Sequence, residues 1–231
     1  IGVPLSAQTV MQYPGPDIFH PDPEFLFAEG GGPLFDIGPY YLTTLVHVFG
    51  PVAAVAAVGS KARATRTVQV GDRRGAKFPV EVPTHVSAVA RFAGGGVSQS
   101  VFSFESPLVR MGVVEITGTE GTLVVPDPNQ FTGAVMITRA PGLATMTAPP
   151  VWESVPLVGV LAGRGTGVLD LARSIRTGCQ PVASGALAYH VLDTLVAIDE
   201  AVASGETVAI TSTVGPVPLV ADGWDPFAAT L

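Results

Sequence analysis

Cysteine is almost missing: Cys179 stands alone among 231 residues. No internal disulfide can form, and a single thiol suits a reducing cytoplasm better than a secreted scaffold. Charge is scarce as well, at 13% of residues, about half the usual quarter. Set against 47% hydrophobic residues, that shortage excludes a disordered chain, which needs the opposite balance. Lysine is nearly absent, with Lys61 and Lys77 against ten arginines, and the net charge is -7. Nucleic-acid binding needs a basic footprint, so that class is excluded. No apolar run of about 18 residues escapes Gly, Pro or polar breaks, so no membrane-spanning helix is expected. The opening Ile-Gly-Val-Pro-Leu-Ser-Ala has no initiator Met, basic n-region or apolar signal core. It predicts a piece of something longer, and the arginine, Ala, Gly, Val and Pro bias points to a GC-rich bacterial source.

Several chemistries lack their residues. No G-x-G-x-x-G follows an expected strand, and there is neither a P-loop nor a G-x-S-x-G elbow. Gly163-Arg164-Gly165-Thr166-Gly167 imitates the glycine density only, and reads as a flexible loop. His20, His47, His85 and His190 lack metal-ligand spacing. Cys179 reads as an inert, partly buried thiol.

What is present is ordered. A strand over 2–12 leads into a loop with Pro14, Pro16, Pro21 and Pro23, where proline forbids a helix. A short turn is expected through 32–36, followed by a helix over 39–49 with Pro39 in its first turn and Gly50-Pro51 as its stop. From Val52 the texture is β, with strands expected at 52–59, 62–70, 80–92, 97–104, 109–117, 121–125 and 133–139. Gly94-Gly95-Gly96 reads as a hairpin, and 140–165 as a loop. A helix through Val168–Ile175, a second capped by Ser184, and a strand at 207–212 complete an α+β chain with a large antiparallel sheet.

Asp36 and Tyr40 are the remaining candidates. Four residues apart, on a helix they share a face and can address one small ligand, while Gly31 and Gly32 let the backbone approach it closely. The alternative reading has Asp36 capping the helix and Tyr40 packing.

The stretch from His20-Pro21-Asp22-Pro23 through Gly30-Gly31-Gly32-Pro33-Leu34-Phe35-Asp36-Ile37-Gly38-Pro39-Tyr40-Tyr41 to Gly50-Pro51-Val52 resembles the Gfo/Idh/MocA oxidoreductases. So do Val114–Leu123, which contains Gly118-Thr119-Glu120-Gly121-Thr122, the segment Ala172–Gly178, and Ser184–Leu192. The resemblance covers nearly the whole chain. It implies a single substrate-binding and oligomerisation domain over 1–231, an open, mostly antiparallel sheet with helices on one face. The Rossmann domain, with its glycine fingerprint and Glu-Lys-Pro lysine, is expected to be absent. No cofactor or metal is expected in this chain, and NAD or NADP in the parent enzyme. Asp36 matches the Asp of the family's D-x-G-x-H pattern, while Tyr40 takes the His position, as in the glucose–fructose oxidoreductase branch. A phenol gives up its proton less readily at neutral pH than an imidazole does. Thr43 stands where some members carry a further Asp. The resemblance implies oxidation or reduction at a carbinol carbon of a sugar, cyclitol or related polyol, with Asp36 orienting the hydroxyl and Tyr40 exchanging its proton. The other reading is a non-catalytic domain for dimerisation or ligand binding. A homo-dimer or tetramer packed through the sheet is expected in either case, with no nucleic-acid or membrane partner.

Overall fold

Strand β1 (Pro4–Gln12) alternates, sending Ala7, Thr9 and Met11 to a buried face and Gln8 to solvent. The computed structural model describes residues 1–139, 148–159, 162–220, 223–225 and 228. The proline-rich loop after β1 contains two single 3-10 turns, Pro16–Ile18 and Glu24–Leu26, where no helix was expected. Pro16 opens the first turn, where its missing N–H would be unpaired in any case.

Helix α1 spans Gly32–Phe49 and keeps Pro39 in its interior, so it starts a full turn and more before the expected 39. The expected turn at 32–36 is helical, and Pro33 rather than Pro39 takes the first-turn position. An interior proline costs about 3 kcal/mol. The helix buries Leu34, Ile37, Leu42, Leu45 and Val46, each contributing about 1.5–3 kcal/mol, so burial outweighs the lost bond. Gly38 lets α1 pack close against its neighbour: a Cβ there would lie 2.8 Å from Leu195 Cδ2. Asp36 stands in the interior, and the N-cap, Gly31, has no side chain to cap with. The capping reading of Asp36 is thereby corrected.

The remaining strands are β2 (Val52–Ser60), β3 (Thr65–Thr67), β4 (Lys77–Pro79), β5 (His85–Phe92), β6 (Val97–Ser103), β7 (Arg110–Gly118), β8 (Thr122–Val125), β9 (Val135–Thr138), β10 (Glu153–Val155) and β11 (Val208–Ala209). Eight of them join β1 in one nine-stranded sheet, in the order β10-β9-β8-β7-β1-β6-β5-β2-β11. It is mixed: β1 runs parallel to β6, while every other pair is antiparallel. The β5–β6 hairpin turns through Gly94-Gly95-Gly96 as expected, pairing His85 with Ser103 and Arg91 with Val97. The expected strands at 62–70 and 80–92 shrink. Residues 62–70 yield only β3, which pairs with β4 in a separate two-stranded sheet, and Pro83, with no N–H to give a ladder, precedes the start of β5 at His85. Strand β10 lies in a region read as loop.

One face of the large sheet is covered. Val86, Ala88, Ala90 and Phe92 of β5 and Ser98, Ser100 and Phe102 of β6 are buried with Ala7 and Met11 under α1 and α3 (Gly185–Ser204). Small side chains in aligned rows let the helices settle close, and Thr9 donates a 2.8 Å hydrogen bond to Ser100. Ser184 caps α3 by accepting from Leu187 N–H at 3.2 Å. Buried His190 joins α3 to β2 by accepting the Val52 N–H at 2.9 Å. Helix α2 (Thr166–Thr177) leaves Val168, Leu171 and Ile175 exposed. Among the described residues no helix is long and apolar enough to cross a membrane.

Candidate functional site

Asp36 projects from the second turn of α1 into a hollow of about 610 Å³. The wall opposite is the proline-rich loop: Tyr13, Ile18, Phe19, His20 and Phe25, with Val109, Met111 and Asn129 closing the sides. Asp36 is half-buried and makes no hydrogen bond among the described residues. Burial pushes its carboxyl above the ordinary aspartate range. Tyr13 is buried beside it, and its hydroxyl has no hydrogen-bond partner among the described residues. Burial, then the carboxylates of Asp36 and Asp17, raise the Tyr13 phenol well above its ordinary value.

Tyr40, one turn on, lines a neighbouring groove of about 550 Å³ with Thr43, Thr44, His47 and Pro128. Asp36 and Tyr40 therefore share a helix but open into two adjoining hollows, divided by the 128–129 segment that walls both. His47 is pushed below its ordinary value by partial burial. Gly31 and Gly32 line neither hollow. A Cβ on Gly31 would lie 2.7 Å from Phe25 O, and one on Gly32 3.1 Å from Pro83 O. Their close approach is to the chain's own backbone, and it fixes where α1 begins.

Two clusters hold the walls. Arg66, buried on β3, meets Asp17 at 2.7 Å and Glu105 at 3.0 Å, and donates to Pro14 O at 2.7 Å and Phe104 O at 2.6 Å. One guanidinium thus ties the 13–18 loop to the end of β6. Tyr41 is fully buried, accepts from Gly112 N–H at 2.8 Å and donates to Asp127 Oδ1 at 3.4 Å. Asp127 in turn accepts from Asn129 N–H at 3.0 Å, which sets the dividing turn. Burial raises the Tyr41 phenol, with Asp127 adding to it.

Tyr13, Tyr41 and Asp127 carry parts that motif reading did not assign. A turn signal at Pro126-Asp127-Pro128-Asn129 was there to be read; nothing local marks Tyr13. Among the described residues no three His, Cys, Asp or Glu side chains gather as a metal site. Cys179 is exposed rather than partly buried, because it follows the Gly178 end of an outlying helix. The glycines at 163–167 open α2, yet a Cβ at Gly163, Gly165 or Gly167 would meet nothing within 4 Å. They form no close cradle, and the strand before them, β10, is an antiparallel edge. Gly163, Gly165 and Gly167 therefore do not make the close turn that a dinucleotide pyrophosphate needs.

Residues 1–124 match the sequence family described as the GFO/IDH/MocA C-terminal domain. Among curated proteins nothing matches. Among solved structures, levoglucosan dehydrogenase in complex with NADH is similar with a TM-score of 0.71 at 23% identity, over 92% of this chain and 60% of that one. An NAD binding oxidoreductase from Klebsiella pneumoniae gives 0.70 at 18%, over 92% and 60%. Aldose-aldose oxidoreductase from Caulobacter crescentus, complexed with glycerol, gives 0.68 at 23%, over 90% and 56%. At these identities the likeness is one of fold. The chain spans about 60% of the length of the structures it matches.

Proposed function

The chain belongs to the Gfo/Idh/MocA oxidoreductase family, and we propose that it is the substrate-binding and oligomerisation half of a cytoplasmic, NAD(P)-dependent enzyme acting on the CH–OH group of a sugar, cyclitol or related polyol. The observation that carries this reading is the Asp36 hollow, rimmed by Phe19 and Phe25, with Tyr40 one helical turn away. Aromatic rings and a few convergent polar groups are what a polyol with C–H faces and hydroxyl edges requires. In this reading residues 1–231 form one domain, and the dinucleotide-binding half lies outside it. The matched structures bound to NADH, and the one acting on aldoses by its name, favour a nicotinamide partner and a sugar substrate.

Asp36 accepts a hydrogen bond from a substrate hydroxyl and fixes its orientation. Tyr40, across the 128–129 divide, takes or returns the hydroxyl proton of a substrate that reaches both hollows. Gly31 and Gly32 act on the substrate through the start of α1 that they set. No step through the nicotinamide is assigned to this chain. In the enzyme completed by its cofactor half, Tyr40→Phe and Asp36→Asn are each expected to lower kcat by about 10²- to 10⁴-fold with folding intact. Steady-state kinetics beside thermal melts checks this. A change in kcat within about twofold makes both residues structural and favours the non-catalytic reading.

A further inference from the structure

The Asp36 hollow contains one formal charge. No lysine or arginine lines it, and the guanidiniums around it are held by other groups. Arg66 is held by Asp17 and Glu105 and Arg73 by Asp22 and Glu24, while Arg164 donates to the backbone and side-chain oxygens of the wall residue Asn129 and lies over the Phe131 ring without lining the hollow itself. Arg110, between the lining residues Val109 and Met111, does not line it. The adjoining Tyr40 groove also lacks lysine and arginine.

The donors that do face the hollow are uncharged. His20 accepts the Asp22 N–H on Nδ1 at 3.0 Å, which assigns the tautomer with its proton on Nε2, a neutral donor. Tyr13 offers a phenol hydroxyl with no partner among the described residues. Phe19 and Phe25 are 60% and 61% exposed at the rim, and Phe25 supports the His20 ring edge-on at 5.4 Å. A carboxylate or phosphate entering here would face Asp36 with no countercharge and lose its hydration. Like charges brought together in that way are strongly disfavoured.

Resting on the sugar or polyol reading above, we infer that this hollow selects uncharged sugars and polyols and rejects sugar acids and sugar phosphates, with Tyr13 and His20 donating to hydroxyl oxygens and Asp36 accepting. The test is ligand-observed saturation-transfer NMR on the full chain at pH 7 and fixed ionic strength, with glucose, glucuronate and glucose 6-phosphate as probes. Glucose is expected to bind at least about tenfold more tightly than either anion, a gap that one unpaired like charge readily produces. In Asp36→Asn the gap is expected to narrow to about threefold or less. Tyr13→Phe and His20→Gln are each expected to weaken glucose about three- to tenfold, the worth of one hydrogen bond, and to leave the gap in place. Circular dichroism confirms that each variant folds.

Glucuronate or glucose 6-phosphate binding as tightly as glucose overturns the inference and leaves the sugar pocket standing. A gap that survives Asp36→Asn overturns Asp36 as its cause. Glucose affinity within twofold of the parent in both Tyr13→Phe and His20→Gln overturns the donor assignment. A folded chain that binds none of the three probes overturns the sugar reading itself, and this inference with it.

Discussion

Asp36 holds a half-buried carboxyl with no hydrogen-bond partner among the described residues, and that arrangement lowers stability. Its folded-state value is raised by burial, so the native chain holds this proton more tightly than the unfolded one. The contribution is neutral below the ordinary aspartate value of about 3.9 and turns unfavourable as pH rises through the raised one. Asp36→Asn is therefore expected to raise the melting temperature at pH 7 and leave it unchanged near pH 3. Melting curves at the two values check the sign, and a fall at pH 7 contradicts it. Asp36 and Tyr40 were legible in the sequence because a four-residue spacing behind a glycine run is a local pattern. Tyr13 was not, because its approach to Asp36 depends on how a proline-rich loop folds back over α1. Nor did spacing on one helix reveal that the 128–129 turn would divide the two side chains between separate hollows.

At the scale of elements, α1 shows where local rules give way. Proline statistics put its start at 39, whereas the buried face from Leu34 to Phe49 carries the helix through Pro39. The β5–β6 hairpin was legible because alternation and a glycine turn agree. The small β3–β4 sheet was not, since it is held by Arg66, whose partners Asp17 and Glu105 lie 49 and 39 residues away in sequence. Breaking a buried ion pair by removing one partner costs about 3–5 kcal/mol, because it strands the other charge. Arg66→Ala strands the Asp17 carboxylate and two backbone carbonyls, and leaves Glu105 with its hydrogen bond from Thr84. Urea denaturation is expected to show a loss of that size, and a loss under about 1 kcal/mol contradicts the role of Arg66 as the tie between the 13–18 loop and the sheet.

For the molecule as a whole, the large sheet has, among the described residues, one face under α1 and α3 and the other open. Val89 and Val97 stand exposed there among Gln8, Arg91 and Gln99. Such a face favours burial against a second copy. Light scattering is expected to give the mass of two or four chains, and Val89→Lys with Val97→Lys to give one. A parent chain that is monomeric at working concentration contradicts this packing. The larger proposal is a division of labour, in which residues 1–231 supply the substrate wall and the enzyme's dinucleotide-binding half supplies the nicotinamide site. Calorimetric titration of the purified chain with NADH and NADPH tests it most directly. The account predicts no binding of either in the micromolar range; micromolar affinity for either cofactor would contradict it.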